Sequence, residues 1–267
     1  MSIIKRKGAR SAKDIPMAIL EQLNKGEIET ANLVEWLAVD QVLLLKNVLE
    51  QFDKTCYLEP VLCDIKSLKK LTVNTVNEAI GVGLMRQSIL NNDVTILAEM
   101  SNHKSDLVRC WTAYTIGRDS KLNINEMLEQ IQVFAADTHF GVREISWLAV
   151  RSVILKNLNQ SLEILLKWTF NENENIRRFA TESTRPRGIW CEHSEELKKK
   201  PELAAAILNS LKSDSSKYVQ DSVGNWLNDA SKSRPDFVMD LCERWKAENP
   251  EEETLYIIKR ALRTIKK

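Results

Sequence analysis

A Val/Ile-Arg pair returns along this chain at a fixed interval. Val108-Arg109 is followed 34 residues later by Val142-Arg143, and 34 later again by Ile176-Arg177; a fourth copy, Val219-Gln220, comes after 43. Each pair opens an amphipathic run: Val108, Trp111, Thr112; Val142, Ile145, Ser146, Ala149; Ile176, Phe179, Ala180, Ser183; Val219, Ser222, Val223, Trp226. Steps of three and four place these residues on one face of an α-helix. A period of this length, with one long helix per period and a second helix between, marks an α-solenoid. In such a chain each unit buries its apolar face on its neighbours. Strand signals (sustained alternation, an Asn-Gly turn) do not occur, so the fold class expected is all-α. The nine extra residues before the fourth copy read as a loop insertion near 188–201.

The expected organisation is one repeat domain over 1–267. Residues 1–13 carry Lys5, Arg6, Lys7, Arg10 and Lys13 without an acid, and read as a basic flexible arm or as an arm laid on a polyanion. Helices fill 14–90. The first is capped by Asp14, with Pro16 in its first turn and Gly26 past its end. Others lie near 29–38, 41–54, 64–71 and 74–89, with TCYLEPVLCD as a connector and Gly81 and Gly83 loosening the last. Regular repeats run over 91–267, closing with helices near 202–212, 217–231, 235–247 and 252–265.

Composition narrows the function classes. The net charge is +1, so affinity for a polyanion has to come from local clustering. A hydrophobic fraction of 43% with only 8 Gly and 6 Pro favours an ordered helical chain over a disordered one. Five scattered cysteines without a CxxC pair point to a reducing, cytoplasmic compartment. Three distant histidines argue against a zinc site. No apolar run reaches membrane-span length, and the first residues lack the apolar core of a secretory signal. A monomer is the expected state.

Chemistry concentrates in RRFATESTRPRGIW, residues 177–190, which packs four arginines, one acid and a tryptophan into fourteen positions. The spacing predicts a helix up to Arg185, stopped by Pro186, with Gly188 in the turn. In each repeat, residues two, five, six and nine after the first apolar one lie on the opposite stripe from the core face. These are Cys110, Ala113, Tyr114 and Gly117; Glu144, Trp147, Leu148 and Arg151; Arg178, Thr181, Glu182 and Arg185; Asp221, Gly224, Asn225 and Asn228. A stripe facing away from a core is commonly a solvated run of Lys and Glu. This one has no lysine and holds arginines, a tryptophan and isolated acids. Guanidinium groups grip phosphates with two-pronged contacts, which position a duplex without reading its sequence. Glu144 and Glu182 stand among arginines. They are either structural ion-pair partners or carboxylates that stabilise an oxocarbenium-like state while a glycosidic bond is hydrolysed.

RRFATESTRPRGIW, YVQDSVGNWLNDASKSRPDFV (218–238) and IIKRALRTIKK (257–267) together resemble the AlkC/AlkD family of bacterial DNA alkylation repair proteins. The resemblance is good over roughly 95–267 and looser before. It implies a right-handed solenoid of HEAT-like (ARM-type) repeats with a concave DNA-binding face. It also implies glycosylase activity on cationic N-alkylated purines such as 3-methyladenine, with no metal and no redox cofactor. The AlkD-type Trp followed four residues later by Asp is Trp111 and Thr115 here, so that acid is missing. SVGNWLNDASK is similar to the AlkC branch, with Asn225 where the AlkD branch has a cleft tryptophan. The AlkC-type acid within ATEST falls on Glu182. Its other acid falls near Leu148 in WLAVR, and Glu144 is the nearest carboxylate.

The resulting expectation is a protein that binds double-stranded DNA and hydrolyses the N-glycosidic bond of cationic alkylpurines. Glu182 comes first and Glu144 second as the electrostatic stabiliser. Arg143, Arg151, Arg178, Arg185 and Arg187 hold phosphates, Trp147 and Trp190 contact sugar or base, and Asn225 and Asn228 complete the DNA-binding set. The alternatives are a non-catalytic module for damaged or branched DNA and a protein-binding solenoid.

Overall fold

The computed structural model describes residues 6–248 and 250–265, and every described element is a helix. In chain order the α-helices are α1 (Met17–Asn24), α2 (Leu33–Ala38), α3 (Gln41–Gln51), α4 (Leu58–Lys66), α5 (Val73–Leu90), α6 (Ile96–Ser101), α7 (Asp106–Arg118), α8 (Ile124–Ala135), α9 (Phe140–Lys156), α10 (Leu158–Trp168), α11 (Glu174–Glu182), α12 (Glu195–Lys199), α13 (Ala205–Ser210), α14 (Lys217–Ser231), α15 (Pro235–Ala247) and α16 (Glu252–Ala261). The four periodic runs are α7, α9, α11 and α14, and their first apolar residues Val108, Val142, Ile176 and Val219 are all buried. The sequence reading has one repeat domain; packing divides the chain into two compact units, 1–120 with 138–149, and 121–137 with 150–267.

In the first unit α5 packs on α7 and α4. The approach is close because Gly81 lies under the Trp111 carbonyl, where any Cβ would overlap the oxygen. Consequently Cys110, Ala113, Tyr114 and Gly117, expected on an outward stripe, are buried. The steps of three and four mark the first buried face of α7, and α5 covers the second. Two further expectations are corrected here. TCYLEPVLCD is mostly helix rather than connector, since α4 begins at Leu58. Pro60 is tolerated there because a residue in the first turn has no intrahelical N–H bond to give. Asp14 caps nothing; α1 starts after Pro16. Of the basic stretch, Met1–Lys5 lie outside the described residues. Arg6 is clamped on buried Glu35 (2.5 and 2.7 Å), and Asn32 donates to the Ala9 carbonyl, so the described part of that arm is tethered.

In the second unit α14 is the hub, flanked by α16, α11 and α15. Gly224 lets α16 in, with the Arg260 Cβ 2.7 Å from where an alanine Cβ would stand. Trp226 is fully buried and donates its indole N–H to the Thr184 carbonyl at 3.0 Å. The helix expected up to Arg185 ends at Glu182. Thr184 and Arg185 form tight turns on Thr181 and Glu182, because the residue before Pro186 is driven out of the helical region.

A candidate nucleic-acid interface

The recurring arginine has a structural task. Arg109 Nη1 donates to the carbonyls of His103 (2.7 Å) and Lys104 (3.1 Å), Arg143 Nη1 to Thr138 (2.9 Å), and Arg177 Nη1 to Asn171 and Glu172 (both 2.9 Å). Gln220 repeats the contact on the Asp214 carbonyl at 2.8 Å. The turn before each helix supplies its own cap: His103, His139, Asn173 and Asp214 accept from the backbone N–H two residues on. The period read from the sequence is therefore the period of a turn-fastening device. Arg143, expected to hold phosphate, occupies one of its rungs.

Glu182 closes α11 and is buried, at 3% exposure. Ser222 of α14 donates to its Oε1 at 2.7 Å, Arg178 lies 3.4 Å from Oε1, and Arg185 lies 3.3 Å from Oε2. Arg185 also makes a two-pronged contact with Asp229 of α14 (Nε 2.9 Å, Nη2 2.6 Å), and Lys232 adds a third bond to Asp229. Burial opposes the Arg185 charge, but Glu182 and Asp229 outweigh it and hold the guanidinium above its ordinary value. Arg178 lies over the Tyr218 ring at 4.2 Å. On the other side of α14, Asp221 is bound by Tyr256 (2.6 Å) and Lys217 (2.9 Å) with Arg260 nearby, which together keep its carboxyl below the ordinary range against the opposing effect of burial. Three neighbouring helices thus carry a grid in which Arg178, Arg185, Arg260 and Lys217 alternate with Glu182, Asp229 and Asp221.

Arg151 is 2% exposed, and its guanidinium is spent on backbone. Nη1 donates to Ser183 O (2.7 Å), Nη2 to Arg185 O (2.6 Å) and Glu192 O (3.2 Å), and Nε to Glu192 O (3.3 Å). Burial pushes its pKa down from the ordinary value. Arg151 therefore rivets the insertion loop at both ends, and its burial closes it to a phosphate. Ser194 N–H donates to the Pro186 carbonyl and completes the closure. The loop tip carries Ile189, 80% exposed, and Trp190, 56% exposed. Arg187 donates to Ser233.

The remaining expected residues divide. Trp147 is buried and gives its indole N–H to Glu144 at 3.0 Å, so the ring is not open for stacking, and Glu144 is half-buried. Asn228 is buried and ties α14 to Ala261 O and Thr264 Oγ1. Asn225 is half-exposed and accepts from both Arg260 and Arg263. Sequence reasoning passed over Arg260, Arg263, Lys217 and Tyr218; the spacing of the two arginines by three within IIKRALRTIKK was the available signal. Among the described residues no group of three His, Cys, Asp or Glu could hold a metal ion, and no helix is long and apolar enough to cross a membrane.

Comparison with known proteins gives this arrangement a context. A model of the DNA alkylation repair enzyme family matches residues 127–265. Protein YhaZ of Bacillus subtilis (strain 168), itself uncharacterised, is 36% identical over 139 residues; the match covers 52% of this chain and 38% of YhaZ, so this chain spans well under half of that relative. Among solved structures, the alkylpurine DNA glycosylase AlkC of Pseudomonas fluorescens, bound to DNA containing an abasic site analogue, has a TM-score of 0.66 at 24% identity. That likeness covers 97% of this chain and 66% of AlkC. AlkD2 of Streptococcus mutans has a TM-score of 0.55 at 25% identity, covering 82% of this chain and 98% of AlkD2. The fold is the all-α HEAT-like repeat fold of these proteins. The chain belongs to the DNA alkylation repair enzyme family.

Proposed function

We propose that this protein binds double-stranded DNA and hydrolyses the N-glycosidic bond of cationic N-alkylated purines, of the 3-methyladenine or 7-methylguanine type, in the cytoplasm. The observation that carries the reading is the grid on α11, α14 and α16, in which a buried carboxylate, Glu182, is fixed among arginines next to an exposed tryptophan loop. A cationic purine is already a good leaving group, so a carboxylate held beside the sugar needs to stabilise only the charge that builds on the deoxyribose. Glu182 cannot rotate away, because Ser222 and Arg185 hold its two oxygens. Glu144 is the second candidate; it is less buried than Glu182, and the Trp147 indole orients it. Arg178, Arg185 and Arg187 are half-buried and serve the phosphates, directly or by shaping the field. Arg143 and Arg151 act on backbone carbonyls instead.

A second reading has its own support. Each positive neighbour of Glu182 offsets part of the field that would stabilise an oxocarbenium ion, and Thr115 stands where the AlkD-type acid is missing. A non-catalytic protein that recognises damaged or branched DNA would keep the grid and lose the chemistry. Single-turnover release of base from methylated duplex, measured beside DNA binding for wild type, Glu182→Gln and Glu144→Gln, separates the two. The first reading expects a drop of about 100-fold or more in one glutamine variant with binding retained. Tight binding by wild type without release establishes the second.

A further inference from the structure

Arg185 is matched by Asp229, and Arg260 by Asp221. Arg263 has no carboxylate partner among the described residues. It lies exposed just past the end of α16, and its Nη1 donates to Asn225 Oδ1 at 3.0 Å. Arg260 Nη2 donates to that same oxygen at 3.1 Å. Two guanidinium groups therefore converge on one neutral amide oxygen, which accepts two hydrogen bonds and cancels no charge. The remaining contacts of Arg260 fix its direction: Nη1 on the Tyr256 hydroxyl at 3.0 Å and Nε 3.4 Å from Asp221. Gly224 matters here too, because the Arg260 Cβ occupies the space a side chain at that position would take.

We propose that Arg260 and Arg263, joined on Asn225, form a binding site for one phosphodiester group of a nucleic-acid backbone. The site rests on the DNA-binding reading above and gives it an anchor point at the α16 edge of the grid. An arginine pair prearranged on an amide presents several N–H donors to one anion, and a phosphate oxygen pair matches that fork. The charge count points the same way. The acids around the pair, Asp221 and Asp229, are already bound by Lys217, Arg185 and Lys232, so that with Arg260 and Arg263 five cations face two carboxylates. Partial desolvation and the like charges of Arg260 and Arg185 lower the Arg263 pKa, a penalty that a bound anion offsets. Both arginines sit at the C-terminal end of α16, where the helix dipole favours cations and helps hold them together in the absence of a ligand.

The test is a titration of fluorescently labelled duplex DNA at several NaCl concentrations, with wild type, Arg263→Ala, Arg263→Lys and Asn225→Leu. Arg263 is exposed, so its variants should melt as wild type does. Loss of one phosphate contact lowers the slope of log K against log salt by about 0.9 and weakens binding on the order of tenfold at low salt. We expect this for Arg263→Ala, a similar loss for Asn225→Leu, and a slope near wild type for Arg263→Lys. An unchanged slope in Arg263→Ala, with wild type binding normally, overturns the site and leaves the DNA-binding reading standing. Failure of wild type to bind duplex at all overturns that reading instead. Inorganic phosphate at constant ionic strength is the last arm: competition with DNA that is lost in Arg263→Ala supports the proposal, whereas phosphate that binds at Arg263 and leaves DNA affinity unchanged would mean a site for free phosphate, contrary to it.

Discussion

Arg151→Met tests the division between residues that hold the fold and residues that face DNA. Arg151 makes four hydrogen bonds to three carbonyls, those of Ser183, Arg185 and Glu192. Methionine keeps most of the apolar stem and deletes every donor. The Ser183 carbonyl lies in a fully buried residue, whereas those of Arg185 and Glu192 are in more open residues and regain water. One buried orphan costs about 1–3 kcal/mol, and the two other carbonyls, whose charge-assisted bonds are replaced by water, cost roughly 1 kcal/mol each. The expected loss is therefore about 3–5 kcal/mol, a large part of a typical domain's stability. At about 2–4 °C per kcal/mol, the melting temperature followed by circular dichroism falls by roughly 6 °C or more. Limited proteolysis should also cut first within the insertion loop. A phosphate-binding Arg151 makes the opposite pattern: unchanged melting and weaker DNA binding. A shift under about 2 °C, with the loop still resistant to protease, would falsify the rivet.

Three further outcomes follow from particular contacts. Gly81→Ala places a methyl group on the Trp111 carbonyl, so α5 and α7 must separate; a loss of at least about 2 kcal/mol in urea unfolding is expected, and a neutral result contradicts the packing. Asp93, bound by Lys54 and Tyr57 and capping α6, has its carboxyl lowered to about 2. A lowered folded pKa means stability that is present above about pH 4 and fades as the pH falls toward 2. Asp93→Asn should therefore lose about 1 kcal/mol at neutral pH and nothing near pH 2; equal losses at both would contradict the assignment. Trp190→Ala removes an exposed ring, so melting should stay within about 1 °C. DNA affinity should fall by roughly fivefold or more if the ring stacks on a base or sugar, and unchanged affinity would remove Trp190 from the interface.

The sequence made the repeat register legible, because a helix must bury one face and Val108, Val142, Ile176 and Val219 mark that face in every copy. The second face was not legible. Spacing says which residues oppose the core, but not whether another helix covers them, as α5 covers Cys110, Ala113 and Tyr114 of α7. The same limit governs the arginines. A guanidinium on a backbone carbonyl and one on a phosphate look alike in a sequence, so Arg143 and Arg151 read as DNA contacts until their acceptors were seen. Glu182 was legible as an acid surrounded by arginines, since Arg178 and Arg185 lie within one helical turn of it. The long-range contacts were not, because Ser222, which binds Glu182, and Asp229, which binds Arg185, stand 40 and 44 residues away from those partners and meet them only once α14 packs against α11. Arg260 and Arg263 were overlooked for a related reason: no local pattern announces that both point at Asn225.

The most direct measurement of the central claim is chromatographic detection of free base from a duplex carrying 3-methyladenine or 7-methylguanine, with the protein in excess over DNA. The account predicts that methylated purine appears in step with abasic sites, and that unmodified purines stay in the strand. Methylated duplex that is bound yet remains intact, under conditions where an established alkylpurine glycosylase empties it, would contradict the account.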